Sequence, residues 1–248
     1  MSYIGKQPAK APLTSSDVAD GIISNAKLAQ DIISAETALG ATPADTDEFL
    51  VSDAGTLKRM DYSHIKGGGG LVHIKTTNIT SGTATVDFSH GSSDVVFDST
   101  YNAYLFILSD VHPATDGQPF ELTFSTDAGS SYLSSNYMFV HKGRNTNSSD
   151  LNHLSTSDSV IDITSNNIGG AADETLSAQL WFHKPSDTNA HKMVSITAAM
   201  MDNDGYVCTT VSAATNSGST SAITGVRFKF GSGNIDRGNF SMFGVVNS

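Results

Sequence analysis

Cysteine is almost missing from this chain of 248 residues: Cys208 stands alone. A single thiol excludes an internal disulfide framework and any cysteine-based zinc cluster, and it is expected to sit as a small buried hydrophobe. Basic residues are also scarce, 14 against 25 acidic ones, giving a net charge of −11. That balance repels phosphate backbones and anionic lipid, and no local basic patch offsets it, so neither nucleic acid nor a membrane surface is an expected partner. Long apolar runs are absent: no window approaches the roughly 20 residues of a membrane span. The opening residues have no apolar signal core, so the chain is expected to be made in the cytoplasm without a signal peptide. The short catalytic signatures are missing as well. There is no nucleophile elbow, no His-Glu-x-x-His, no phosphate-binding glycine loop and no dinucleotide fingerprint, so no enzyme and no cofactor is expected.

Serine and threonine, by contrast, make up 59 residues, and glycine adds 22. Such a composition favours strands and turns over helices. The aromatics are divided unevenly: Tyr3, Phe49 and Tyr62 precede residue 71 and the other 17 follow it. Gly67-Gly68-Gly69-Gly70 marks the division, because four residues without side chains form a flexible joint. The sequence therefore divides into an attachment and shaft segment over 1–42, a hairpin segment over 43–66, a glycine linker over 67–70 and a head over 71–248.

The segment before the linker is too poor in apolar bulk to build a core alone. An Ile-Ile-Ser unit recurs at an offset of ten residues, Ile22-Ile23-Ser24 and Ile32-Ile33-Ser34, with Leu28 between the copies. Two readings fit. Paired isoleucines left in water would be buried by association of several chains; alternatively, a short amphipathic helix from about Ser16 packs on its own head. Further on, residues 43–60 read as strand, Asp53-Ala54-Gly55 turn, strand. A lone two-stranded hairpin is marginal in water and needs partners.

After residue 70 the apolar period changes to two. Strands are expected at residues 71–75, 84–88, 103–108, 120–124, 137–140, 160–163, 176–182, 193–197, 206–209, 223–230 and 239–245. Many short strands with polar turns and no sustained helical period imply a mainly β fold, with a C-terminal antiparallel β-sandwich of jelly-roll type. Phe228, Phe230, Phe240 and Phe243 are expected in its core.

Chemistry-bearing clusters are few. Asp202-Asn203-Asp204-Gly205 carries oxygen ligands, but Asp-Gly suits a hairpin turn and the spacing of a calcium loop is absent. His183 and His191 flank a polar loop without a third metal ligand, so no metal site is expected. Asp173-Glu174 is a solvated pair rather than a catalytic one. For binding, the stretch from Ser130 to Tyr137 and the expected loop from His141 to Asp150 gather Tyr132, Tyr137, Arg144, Asn145 and Asn147. These residue types stack on and hydrogen-bond to sugars and polar surfaces at low entropic cost.

The opening Ser2-Tyr3-Ile4-Gly5-Lys6-Gln7-Pro8, the stretch from Leu13 to Ala29 and the stretch from Asp45 to Tyr62 resemble tail-fibre-like virion proteins of tailed, particularly marine, bacteriophages. The run from Ile223 to Val245 resembles the last hairpin of the β-rich heads of such proteins. The resemblance implies a non-enzymatic virion structural protein and a homotrimer. It also implies docking of the N-terminus on other tail or virion proteins, and a distal head that touches the host surface, a glycan or an outer-membrane component. Tyr3, Ile4, Ile22, Ile23, Leu28, Ile32 and Ile33 would then serve attachment and trimerisation. Some phage fibres hold iron through a His-x-His pair; this chain has none, so that property does not carry over. The alternatives are a head or neck decoration of the virion, a monomeric carbohydrate-binding module and, third, a depolymerase.

Overall fold

The computed structural model describes residues 36–65 and 70–246, together with Thr14, Val18, Ala19 and Ile23. Tyr3, Ile4, Ile22, Leu28, Ile32, Ile33, the helix expected from Ser16 and Gly67 to Gly69 lie outside the described residues; Ile23 is exposed. The chain divides into two compact units, Met1–Gly67 and Gly68–Ser248, with the division inside the glycine run. Among the described residues no helix is long and apolar enough to cross a membrane.

In the first unit β1 (Glu48–Asp53) and β2 (Thr56–Asp61) pair antiparallel from Glu48↔Asp61 to Asp53↔Thr56. Ala54 and Gly55 form the turn with φ of 49° and 85°. Two successive positive φ values match the right-handed twist of the flanking strands, and glycine is strain-free there. A single 3-10 turn, Tyr62–His64, follows, with the Tyr62 amide bonded back to the Asp47 carbonyl at 2.7 Å. The ribbon is apolar on both faces: Leu50 and Leu57 lie on one, while Phe49, Val51 and Met60 lie on the other.

The second unit is all β. An eight-stranded sheet has the order β3-β14-β5-β10-β11-β12-β7-β8, and a four-stranded sheet the order β4-β13-β6-β9, every pair antiparallel. The large sheet is built from β3 (Leu71–Ile79), β5 (Ala103–Pro113), β7 (Tyr137–Asn145), β8 (Asp150–Asp158), β10 (Leu176–His183), β11 (Val194–Met201), β12 (Val207–Asn216) and β14 (Ile235–Val245). The small one is built from β4 (Val86–Ser89), β6 (Phe120–Ser125), β9 (Ile161–Asp162) and β13 (Gly225–Phe230). Aromatic rings join the two layers. Phe88 on β4 meets Phe106 on β5 at 5.3 Å between centroids, Phe124 on β6 stacks on Phe182 of β10 at 5.1 Å, and Phe228 on β13 meets Phe240 of β14 at 5.8 Å. The fold is thus a two-layer antiparallel sandwich whose sheets are unequal.

Three expectations are corrected. The segment from His141 to Asp150 is not a loop: β7 runs to Asn145, a turn follows, and β8 begins at Asp150. β8 was invisible because its two leucines, Leu151 and Leu154, are three residues apart and therefore face opposite sides. Its inward positions Leu151, His153 and Ser155 carry a single aliphatic side chain, so no apolar period of two marks this edge strand. Phe243 is not a core residue. It too is three residues from Phe240, so β14 turns it to the outer face, where its ring meets His73 at 5.4 Å. Tyr137 is not a surface residue either. It opens β7 and is completely buried, accepting the Phe124 amide on its hydroxyl at 2.7 Å and donating to the Leu133 carbonyl at 3.2 Å. Burial pushes its phenol pKa up to about 12.

Candidate functional site

The inner face of the large sheet is covered by the small sheet, so a surface for partners must come from its outer face, its edges or its loops. On the outer face the ladder register sets side chains in rows that cross the strands. One row runs His73, Phe243, Leu105, Trp181, Ser195, Ala213, Val140, Leu154 across all eight strands. It is an apolar band with the lone tryptophan near its centre. Where Met138, Val140 and Leu154 face Met193 and Ala213, small side chains leave an apolar groove of about 370 Å³.

The neighbouring rows are mainly polar, broken by Ile107, Val211 and Ala199. Ser241, Ile107, Gln179, Thr197, Val211, Lys142 and Asn152 form the second, and Asn78, Asn239, Ser109, Ser177, Ala199, Thr209, Arg144 and Asp150 the third. Near Ser109 the ladder is irregular. The pairing of β14 with β5 shifts register on both sides of Arg237, β10 with β5 shifts between Leu176 and Ala178, and Asp110 takes a φ of 53°. Bulges of this kind re-aim side chains. Here they turn Asp110 and Arg237 toward each other, with Arg237 Nε 3.1 Å from Asp110 Oδ2 and Nη2 donating to the Ala172 carbonyl at 2.8 Å.

The structure separates the residues that sequence reasoning grouped for binding. Arg144, Asn145 and Asn147 lie together at the β7–β8 tip, whereas Tyr137 begins the same strand, about 27 Å away for eight strand steps. Asn145 is spent on the turn, its Oδ1 accepting the Ser149 amide at 2.9 Å. Arg144 and Asn147 are exposed. Tyr132 is half-buried beneath Arg227, whose guanidinium sits 3.9 Å from the ring centre while gripping Asp87 at 2.7 and 2.9 Å. Its loop is knitted by Asp127, which accepts from Ser125 Oγ at 2.7 Å and from the Ser131 amide at 2.9 Å. The Ser131 hydroxyl, donating to Oδ2 at 2.6 Å, and then these two bonds hold the Asp127 carboxyl down to about 2. Tyr132 is therefore a packing residue of the small sheet's outer side. What sequence reasoning missed is the outer sheet face itself; the register that aligns Trp181, Gln179 and Ser177 with their neighbours spans strands far apart in the chain.

The remaining clusters are structural. Asp202 closes the β11–β12 turn: it is fully buried and accepts the Tyr206 amide at 2.8 Å, Asn166 Nδ2 at 2.9 Å and the Cys208 thiol at 3.3 Å. Burial pushes that thiol up to about 12, so it is unreactive at neutral pH. His191 Nδ1 lies 3.3 Å from the Ser219 carbonyl, and among the described residues no group of three or more His, Cys, Asp or Glu is placed to hold a metal ion.

At the corner where β9 meets β7, His141 is fully buried with Nδ1 on Ser212 Oγ, and the His153 ring stacks 5.8 Å from it. His153 Nδ1 is 3.4 Å from Asp162 Oδ2. Burial, reinforced by His153, lowers the His141 pKa to about 4; burial raises Asp162 to about 6 against the pull of His153. The two oppose each other. Between pH 6.5 and 4 the unfolded chain protonates His141 first, so its contribution to stability is lost as pH falls. Between pH 6 and 3.8 the folded chain protonates Asp162 first, so stability is gained as pH falls. Relative to wild type, His141→Asn is expected to make the melting temperature rise more, or drop less, on acidification from pH 6 to 4, and Asp162→Asn to do the reverse. Calorimetric scans with identical pH slopes for all three proteins would refute this.

No protein-family model matches the chain, and the comparisons with curated proteins and with solved structures gave no match.

Proposed function

We propose that this protein is a non-enzymatic virion structural protein, a tail-fibre-like appendage of a tailed bacteriophage. In this reading residues 1–66 attach to the particle and hold three copies together, and the β-sandwich presents a surface to the host cell. The observation that carries it is the β1–β2 ribbon: Leu50 is 76% exposed, Leu57 69% and Phe49 41%, and none of the described residues of this unit is buried. Apolar side chains on both faces of an isolated hairpin are what a shared, multi-chain shaft requires. The mechanism is geometric. Three heads on one particle convert weak single contacts into firm attachment through effective concentration.

Sedimentation of the full chain tests the reading. A mass three times 26.0 kDa is expected; a stable monomer of the intact chain overturns it. A monomeric carbohydrate-binding module is the second reading, favoured by the polar rows on the outer sheet face. It requires that deleting residues 1–66 leave adhesion to a multivalent surface unchanged, whereas the trimer requires that adhesion drop.

A further inference from the structure

We propose that the polar rows on the outer face of the large sheet form a binding trough for a linear chain of neutral sugars, laid across the strands; this rests on the host-surface reading above and names the ligand and the site. The trough has two parts that share Ser109. One is a cleft of about 580 Å³ lined by Asn78, Thr80, Ser109, Asp110, Arg237 and Asn239. The other is a furrow of about 390 Å³ lined by Ser109, Ser177, Gln179, Thr197, Ala199 and Thr209. From β3 to β12 they span five strand spacings, about 24 Å.

The chemistry of the lining selects the occupant. A glycan chain offers hydroxyls along its edges and C–H faces between them, so it needs short hydroxyl, amide and carboxylate side chains beside an apolar rim. Ser109, Ser177, Thr197, Thr209 and Gln179 make no side-chain hydrogen bond among the described residues and are exposed, so their donors and acceptors are free for a ligand. Ala199 keeps the floor low. The row alongside supplies the half-buried Trp181 as the apolar rim. At the bulged end, Asp110 and Arg237 neutralise each other, which leaves acceptor and donor groups without net charge and favours neutral sugars over uronates.

Other occupants fit poorly. An added peptide strand bonds along a sheet edge, whereas the trough runs across the strands, and all but its β3 end lies on interior strands whose backbone groups are already paired. A second protein surface needs a cluster of large exposed apolar anchors at its centre, whereas the large apolar side chains lining this trough are a half-buried Ile107 and the buried Leu108 and Ile79. A nucleic acid would meet a chain of net charge −11.

The test titrates the full chain calorimetrically with gluco-, manno- and galacto-configured linear oligosaccharides, dimer to octamer, and with alginate oligomers as the acidic series. At least one neutral series is expected to bind at sub-millimolar concentration, with affinity rising with length until the trough is filled. Ala199→Trp, which raises the floor at an exposed position, is expected to weaken that binding about tenfold or more, the loss of one or two hydrogen bonds to the ligand. Gln179→Ala, which removes only an exposed amide, should weaken it in the same direction. Binding of alginate alone, no binding by any neutral series at millimolar concentration, or unchanged affinity in both variants overturns the proposal. The mass of the same samples separates the two readings: a trimer that binds no sugar overturns the trough alone, and a monomer that binds sugar overturns the appendage alone.

Discussion

Replacing Phe228 with alanine is expected to cost the head about 3–5 kcal/mol, the range for emptying a large aromatic site in a close-packed core. Phe228 is fully buried on the small sheet, and four other phenylalanines surround it: Phe106 at 5.6 Å, Phe240 at 5.8 Å, Phe120 at 6.2 Å and Phe88 at 6.3 Å between ring centres. Two of these stand on the flanking strands of its own sheet, diagonal to it in the ladder, and two come from the facing sheet. Truncation therefore removes contacts within one layer and between both layers at once, and each lost ring pair is worth about 0.5–1.5 kcal/mol beyond its buried area. Four neighbours anchored on separate strands cannot all collapse into the space, so the cost should lie in the upper part of the range. Denaturant melting of a head fragment or of the full chain measures it; a loss below about 1 kcal/mol would mean that the two sheets are not packed through this cluster.

Leu50→Asp combined with Leu57→Asp is expected to convert the proposed trimer to monomers, a threefold drop in sedimenting mass. Both leucines lie on one face of the β1–β2 ribbon, beside the Glu48–Arg59 ion pair at 2.7 Å. Burying each would stabilise an assembly by about 1.5–3 kcal/mol, and a trimer contains six. Carboxylates at the same positions remove that gain and bring like charges together in a low-dielectric seam. The head should be indifferent, since these residues lie in the other compact unit, so its melting temperature is the internal control. Should the double variant sediment like the unaltered chain, the ribbon does not hold the copies together.

Much of the sandwich could be read from alternation alone. Strands with a core under one face, such as β10 and β11, show it plainly: Leu176, Ala178, Leu180 and Phe182 are buried while Ser177, Gln179 and His183 are exposed. Legibility fails where burial stops enforcing the period. β8 carries one aliphatic side chain on its inner face and reads as polar loop, although its residues from Asp150 to Asp158 pair along β7. β5 continues as strand through Ser109 and Asp110 to Pro113, past the point where the apolar run of residues 103–108 ends, because a bulge rather than a side-chain pattern carries it on. The trough was illegible for a different reason. Ser109, Ser177, Ala199 and Thr209 are unremarkable singly, and only the order of strands in the sheet sets them side by side. Tyr137 shows the converse error: an aromatic among serines looked like a contact residue and is in fact a bolt between Phe124 and Leu133.

The first and last strands of the head, β3 and β14, are neighbours, and the Val246 amide reaches the Gly70 carbonyl at 3.1 Å. The start of β3 and the end of β14 thus lie side by side. A few added residues could join them there, and new ends could be cut at the exposed Asn147 tip without severing any strand. The same domain would then hang from its opposite rim, so folding alone does not dictate from which rim the head is joined to the rest of the chain.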